Sequence, residues 1–254
     1  MKNIAMLIRY DGTNYHGWQR QKNGISVQQA VETALSALTG ETVEITGCSR
    51  TDAGVHAMEY LFHFHSGTEI PTERLPYALN YHLPKDISAL SAWEMPEEFH
   101  ARFSAKGKRY IYRIWNSGLR NPFVSRYSWQ MPYRLDVDAM IAAAPILEGT
   151  HDFSSFMAAG GSQKTTVRTV RLCRVERDPE QRELITITVE ADAFLYNMVR
   201  IITGTLVEIG LHRIRVEELP AILASCDRKR CGMTAPPQGL FLKKVYYDFR
   251  ESKE

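Results

Sequence analysis

A pair of alternating runs on either side of a short turn most constrains the fold of this chain. TTVRTVRLCRVERD and RELITITVEAD alternate apolar and polar residues, and DPEQ separates them. A period of two is typical of a strand with one buried face, and a turn of this composition joins antiparallel strands. The sequence therefore predicts a β-hairpin, so the fold must contain antiparallel pairing.

Strand-like and helix-like segments are mixed through the rest of the chain. The predicted strands are NIAMLIRYDG, TVEITGC, MEYLFHFH, ISALSAWEM, KRYIYRIWN and GLFLKKVYYDF. Helices are predicted in SVQQAVETALSAL behind the N-cap Ser26, at about 72–82, at about 136–147 behind Asp136, in AFLYNMVRIITGTLVEIG and in RVEELPAILAS. This mixture indicates the α+β class, with two α/β lobes on a mostly antiparallel sheet. We place the N-terminal lobe at residues 1–105 and the C-terminal lobe at residues 106–254.

Composition excludes several classes of protein. No apolar run approaches the roughly 20 residues that a membrane-spanning helix needs. The start, MKNIAMLIRYDG, lacks the pattern of a signal peptide, which predicts a cytoplasmic protein. Cys48, Cys173, Cys226 and Cys231 are scattered and form no CxxC, so we expect reduced structural thiols.

Positive charge is clustered although the net charge is only +2. The clusters are KGKRYIYR (106–113), KTTVRTVRLCR (164–174) and RKR (228–230). Taken alone, each cluster is more typical of a solvated face than of an RNA-binding site.

The segment GCSRTDAGVHA (47–57) places a carboxylate between an arginine and a glycine. If residues 50–52 are extended, Arg50 and Asp52 project to the same side and can pair, which favours an ionised Asp52. Gly54 permits a sharp turn and the close approach of a ligand. A positioned carboxylate can serve as nucleophile or general base, whereas an aspartate that caps a turn beside a local salt bridge is the other reading.

GCSRTDAGVHA resembles the signature of the tRNA pseudouridine synthase A family. Other segments agree in family order: RYDGTNYHGWQRQ (9–21), SVQQAVETAL (26–35), LNYHLPKDI (79–87), FHARFSAKGKRYIYRI (99–114), GTHDFSSF (149–156), FLYNMVRIITGTLVEIG (194–210) and TAPPQGLFLKKVYY (234–247). The resemblance implies the pseudouridine synthase fold with a central RNA-binding cleft. It implies an enzyme that isomerises uridine to pseudouridine in the anticodon stem-loop of tRNA, at about positions 38 to 40 in tRNA numbering. It further implies a homodimer that uses no cofactor and no metal.

The same resemblance assigns roles to four residues. Asp52 matches the catalytic aspartate, and a carboxylate beneath C1′ can stabilise or capture the positive charge that develops there. Whether it attacks C1′, attacks C6 or acts at C2′ stays open. Arg50 is expected to hold the space left by a flipped base or to contact phosphate, and Tyr110 to pack against the target base. Arg200 is expected to pair with Asp52. The N-terminal lobe therefore carries the catalytic aspartate, and the C-terminal lobe completes the active site with Tyr110 and Arg200.

Recognition of an RNA stem rests on phosphates and shape more than on base edges. The expected contacts are Arg50 and Tyr110, together with Arg20, Lys106, Lys108, Arg109, Lys164, Arg168 and Arg171. His63 and His65 share one strand face, but no third ligand is identifiable by spacing, so we expect a half-buried strand and no metal site.

Two alternatives remain. The first is a protein that binds tRNA without catalysis, in which case the four catalytic positions would have no purpose. The second is a nucleoside or glycoside hydrolase that uses Asp52 with a second carboxylate, for which Glu59 is the nearest candidate after the motif.

Overall fold

A computed structural model describes residues 1–161 and 164–251. The chain forms two compact units. Unit 1 consists of Met1–Lys106 together with the chain from Phe241 onward, and unit 2 consists of Gly107–Leu240.

Unit 1 is built on a sheet whose strands follow the order β4-β1-β3-β10. The strands are β1 (Lys2–Tyr10), β2 (Thr46–Gly47), β3 (His56–Ser66), β4 (Ile87–Met95) and β10 (Leu240–Tyr246). β1 pairs antiparallel with both β3 and β4, and β2 pairs antiparallel with β3. β10 pairs parallel with β3, where Phe241 lies opposite His56. β1 is the most deeply buried strand, as expected for an apolar run with neighbours on both edges.

The first helix of unit 1 has the two end signals that its sequence predicts. In α1 (Val27–Thr39), the Ser26 Oγ accepts the Gln29 N–H at 3.2 Å. Gly40 ends the helix in the left-handed region at φ 71° and donates its N–H to the Ser36 carbonyl. The predicted helix near 72–82 is confirmed as a 3₁₀ turn, Thr72–Arg74, followed by α2 (Leu75–His82). A short α6 (Asp248–Glu251) follows β10.

Unit 2 contains the strands β5 (Gly107–Asn116), β6 (Trp129–Met131), β7 (Gly149–Asp152), β8 (Val167–Arg177) and β9 (Leu184–Ala191). The order is β5-β9-β8-β7, with antiparallel neighbours, and β6 pairs parallel with β5. β8 and β9 are the predicted hairpin, closed by the Asp178 N–H to the Leu184 carbonyl at 2.9 Å. The α+β class with mostly antiparallel pairing is therefore confirmed.

The helices of unit 2 are α3 (Val137–Ala143), α4 (Met198–Gly210) and α5 (Leu219–Ala224). Asp136 caps α3 through the Ala139 N–H at 3.0 Å, as the sequence predicts. The helix predicted from residue 193 begins only at Met198, because Asn197 has a φ of 59° and breaks the helical backbone.

One predicted strand is shorter than expected. TVEITGC was predicted to be a strand, but only Thr46–Gly47 joins the sheet. The Ile45 N–H donates to the buried carboxylate of Glu32 at 3.2 Å, and the Val43 N–H donates to Ser36 Oγ at 3.3 Å. Side chains of α1 therefore take the hydrogen bonds that a neighbouring strand would otherwise take.

Two further predictions concern bulk properties. In the part of the chain that the structure describes, no disulfide joins the four cysteines; Cys48 and Cys173 are buried, and Cys226 is exposed. Within the described ranges, no helix is long and apolar enough to cross a membrane.

Candidate active site and RNA-binding residues

Asp52 lies in the loop of residues 48–55 between β2 and β3. The residue before it is fixed on two sides. The Thr51 carbonyl accepts the Trp18 N–H at 3.1 Å, and the Thr51 Oγ1 lies 2.8 Å from the Tyr10 hydroxyl oxygen. Thr51 is buried, whereas Asp52 is partly exposed. The backbone is thus anchored one residue before a carboxylate that reaches the surface.

Two glycines allow this loop to pack closely against the segment that follows β1. Gly54 adopts φ 77° and donates its N–H to the Tyr15 carbonyl at 3.3 Å, in line with the predicted sharp turn. Gly17 adopts φ 80°, and a Cβ at this position would lie 2.4 Å from the Thr51 carbonyl oxygen. A side chain at Gly17 would therefore push the loop away from its anchor.

Buried aromatic rings support the loop from below. Trp18 stacks on Tyr60 with ring centroids 3.9 Å apart, and the Tyr10 ring lies 5.7 Å from Tyr60. The Tyr60 hydroxyl donates to the Ser49 carbonyl. Sequence reasoning missed these three rings as parts of the site. The alternation of MEYLFHFH was the only available signal, since it places Tyr60 on a buried face.

Arg50 lies in the same loop as Asp52 but does not form the local pair that an extended geometry would allow. Its side chain is exposed and makes no ion pair with the described part of the chain. Lys106, at the end of the first stretch of unit 1, lies 3.2 Å from an Asp248 carboxylate oxygen through its Nζ.

Arg20 neutralises a buried carboxylate. Its Nη2 donates to Glu32 Oε2 at 2.6 Å, and the Glu32 side chain is only 8% exposed. Glu32 also accepts the Gln28 amide at 2.9 Å and the Ile45 N–H at 3.2 Å. Arg20 therefore has a structural partner, while more than half of its own side chain remains exposed.

In unit 2, Tyr110 lies on β5 and is buried. Its ring packs edge-on against Phe194, with centroids 4.9 Å apart and an interplanar angle of 81°. Arg109, the preceding residue, pairs across the strands with Glu190 at 2.7 Å, and Lys108 is partly exposed. Arg109 and Tyr110 project to opposite sides of β5, as alternation requires.

Arg200 lies in the first turn of α4, and its guanidinium donates hydrogen bonds to two oxygen atoms. Its Nε donates to the Ala235 carbonyl at 2.7 Å, and its Nη1 donates to Asn197 Oδ1 at 2.8 Å. The Tyr112 hydroxyl donates a hydrogen bond to the Pro236 carbonyl at 2.7 Å. Burial raises the pKa of Tyr112, and the charge of Arg200 offsets only part of that rise. Asp52 belongs to unit 1, and its pairing with Arg200 stays a prediction.

Gly204, one turn after Arg200, allows a close approach of backbone to α4. A Cβ at Gly204 would lie 1.8 Å from the Met233 carbonyl oxygen. The segment before Ala235 therefore packs directly on the helix, which holds the Ala235 carbonyl where Arg200 reaches it.

The remaining basic candidates differ in exposure. Lys164 and Arg171 are exposed. Arg168 is only 8% exposed, its Nη1 donates to the Val167 carbonyl, and its Nε has no hydrogen-bond partner among the described residues. A direct contact of Arg168 with RNA would require its surroundings to rearrange.

His63 and His65 lie on β3. His63 is buried, and its Nδ1 accepts the Ala101 N–H at 3.2 Å. Burial, with smaller contributions from His100 and His65, lowers the pKa of His63 to about 4. In the part of the chain that the structure describes, no group of three or more His, Cys, Asp or Glu side chains is arranged to hold a metal ion.

Comparison with known proteins gives the family. Residues 6–104 and 143–248 match the sequence profile of the family described as tRNA pseudouridine synthase. The chain belongs to the tRNA pseudouridine synthase family. It is 49% identical to the tRNA pseudouridine synthase A of Thermoanaerobacter sp. and 47% identical to that of Acetivibrio thermocellus. Each alignment covers 97% of this chain and 100% of the relative.

Membership of the tRNA pseudouridine synthase family makes this chain a tRNA-modifying isomerase that converts uridine to pseudouridine. The first matched stretch includes Asp52 and the second includes Arg200, whereas Tyr110 falls between them. Among solved structures, a chain of a Cbf5-Nop10-Gar1 complex aligns with a TM-score of 0.38 and 11% identity, covering 94% of this chain and 48% of that one. A likeness of that degree adds nothing to the assignment.

Proposed function

We propose that this enzyme isomerises uridines in the anticodon stem-loop of tRNA, at about positions 38 to 40, with Asp52 as the catalytic nucleophile. The observation that carries the proposal is the anchoring of the loop at Thr51, one residue before the carboxylate. A carboxylate on a fixed backbone loses little freedom on reaching the reacting atom, which is the condition for efficient nucleophilic catalysis.

The chemistry needs few groups. The bond between N1 of uracil and C1′ of the ribose breaks, and the Asp52 carboxylate captures C1′ as positive charge develops there. The detached uracil turns and presents C5, which bonds to C1′ and displaces the carboxylate. The proton on C5 then leaves to a base and N1, released from C1′, takes up a proton, so the product has the same composition as the substrate. The proposal uses no cofactor and no metal.

Three further residues complete the proposal. Arg50, exposed beside Asp52, contacts phosphate or occupies the space of the flipped base. Tyr110 packs against the target base through its ring. Arg200 pairs with Asp52 and keeps it ionised. Its hydrogen bonds to Ala235 and Asn197 hold the guanidinium in one orientation.

The proposed RNA contacts are the basic side chains with exposed surface: Arg20, Lys106, Lys108, Arg109, Lys164 and Arg171. Arg168 is proposed as a further contact, but it is buried and would reach RNA only if its surroundings rearrange. We further propose that the enzyme is cytoplasmic and acts as a homodimer.

The test uses unmodified tRNA that carries tritium at C5 of uridine. Release of tritium reports the loss of the C5 proton, and mapping of pseudouridine in the product gives the target positions. We expect the parent protein to release tritium from uridines at about positions 38 to 40. Asp52→Asn should abolish release while its affinity for tRNA stays within about threefold of the parent, since the substitution keeps the shape of the side chain.

Glu59→Gln is the matched control, since it removes the nearest following carboxylate and should leave tritium release unchanged. The proposal is wrong if Asp52→Asn releases tritium at the parental rate. It is also wrong if the parent frees uracil from tRNA, because that product belongs to hydrolysis of the glycosidic bond.

A further inference from the structure

Residues 117–134, which follow β5 and include β6, expose an unusual set of side chains; we name them the arginine–aromatic segment. Leu119 is 81% exposed, Phe123 89% and Tyr133 65%. Arg120, Arg126 and Arg134 are also exposed. The segment lies in the stretch between the two parts of the chain that match the family profile.

Charge along this part of the chain is one-sided. The whole sequence has 31 Lys and Arg residues against 29 Asp and Glu residues. Between Glu98 and Asp136, however, there are eight Lys and Arg residues and no acidic residue. Among the described residues, Arg120, Arg126 and Arg134 form no ion pair, and the segment itself contains no carboxylate that could supply one.

The backbone of the arginine–aromatic segment is nevertheless held in place. The Trp115 indole N–H donates to the Leu119 carbonyl at 3.1 Å. The Asn116 amide donates to the Met131 carbonyl at 3.1 Å and to the Tyr133 carbonyl at 2.7 Å. These bonds connect both ends of the segment to the end of β5. Large apolar side chains and unpaired guanidinium groups are therefore displayed on an ordered backbone, which is typical of a binding surface.

The chemistry of the segment favours RNA over a second copy of the chain. Guanidinium groups bind phosphates, and exposed rings stack on bases. In a two-fold interface the same patch lies on both subunits, so the arginines of two segments would be brought together with no carboxylate from either segment to neutralise them. Like charges at such an interface are repulsive, whereas a polyanion neutralises them.

The segment also lies at a distance from the proposed contact with the target base. Tyr110 and Asn116 are six residues apart on β5, which corresponds to about 20 Å at roughly 3.3 Å per residue. We propose that the arginine–aromatic segment binds a part of tRNA outside the reacting nucleotide, with Arg120 and Arg126 on phosphates and Phe123 stacked on an unpaired base. This inference rests on the proposed function for its ligand, an unmodified tRNA.

The test compares tRNA affinity of the full chain across a range of salt concentrations. Arg120→Ala/Arg126→Ala should weaken binding about tenfold near 0.15 M salt and reduce the slope of log affinity against log salt by about two. Phe123→Ala should weaken binding about fivefold or more with an unchanged slope. Phe123→Trp keeps an aromatic ring and should bind tRNA with the affinity of the parent. Tritium release at saturating tRNA should stay at the parental rate for all three variants.

Arg213→Ala/Arg215→Ala is the matched control, because it removes two positive charges from the same unit at residues that pair with Glu208 and Glu218. Equal affinity and slope for the test and control variants would overturn the inference. A change in molar mass of Arg120→Ala/Arg126→Ala in solution would also overturn it, since it would assign the surface to a second copy. Failure of the parent to release tritium while these binding differences persist would count against the proposed function alone.

Discussion

At the scale of single residues, the position of Asp52 depends on the absence of a side chain at Gly17. Gly17 and Gly40 share a left-handed backbone, at φ 80° and 71°. A Cβ at Gly17 would lie 2.4 Å from the Thr51 carbonyl oxygen, whereas a Cβ at Gly40 has nothing within 4 Å. Gly40→Ala should therefore cost about 1–2 kcal/mol of unfolding free energy, the price of the backbone conformation alone. Gly17→Ala should cost more and should also lower tritium release about tenfold or more, because it displaces the catalytic loop.

Urea unfolding and tritium release measured on both variants separate the two effects. If Gly17→Ala matches Gly40→Ala in stability and the parent in activity, the packing of Gly17 on the loop does not control Asp52.

Local chemistry made the carboxylate predictable but not its surroundings. Asp52 and Gly54 stand in one short motif, so a positioned carboxylate on a turn follows from neighbouring residues. Arg20 was predicted only as an RNA contact, yet it pairs with Glu32, a buried residue on α1. Which carboxylate becomes buried depends on the packing of α1 against residues 43–45, and no local pattern of the sequence encodes that packing.

At the scale of elements, predictions succeeded where the end signals are local. Ser26 and Asp136 cap their helices as predicted, since a cap acts within three residues. The predicted start of α4 was wrong because a single backbone torsion, the positive φ of Asn197, decides where that helix begins. The predicted length of β2 was wrong because side chains of α1 accept the N–H groups of Val43 and Ile45, just before the strand.

His63 on β3 makes the stability of unit 1 depend on pH. The folded pKa of His63 is about 4, below its ordinary value near 6.5, because the side chain is buried beside His65 and His100. The folded state therefore binds fewer protons than the unfolded chain. The stabilisation is fully present above pH 6.5 and is lost as pH falls towards 4. Between pH 7 and pH 5, the loss from His63 should be about 2 kcal/mol.

Urea unfolding at the two pH values measures this loss. His63→Gln should lose less stability than the parent between them, and His65→Gln, at a more exposed position, should behave like the parent. An identical pH dependence for the parent and His63→Gln would show that other groups govern acid sensitivity.

At the scale of the whole molecule, the path of the C-terminal strand could not be predicted. GLFLKKVYYDF was predicted to be a strand, and β10 confirms it. It pairs with β3, near the other end of the sequence, and the Phe241 ring is stacked on His56 with ring centroids 4.7 Å apart. Parallel pairing over such a separation leaves no local signature, since it needs neither a turn nor a matched composition. The alternation of β10 predicts a buried face but does not identify the strand that β10 joins.

The return of β10 makes unit 1 depend on residues that lie far along the chain from β1 and β3. Leu242 is fully buried opposite Ala57 of β3, whereas Lys243 is exposed. Leu242→Asp should lower the unfolding free energy by more than about 4 kcal/mol, because it places an unpaired charge in the core. Lys243→Asp introduces the same side chain on the other face and should cost less than about 1 kcal/mol. Hydrogen exchange should show loss of amide protection in β1 and β3 for the first variant only. If β1 and β3 keep their protection in Leu242→Asp, the sheet of unit 1 is stable without β10, and the C-terminal strand only docks on a sheet that has already formed.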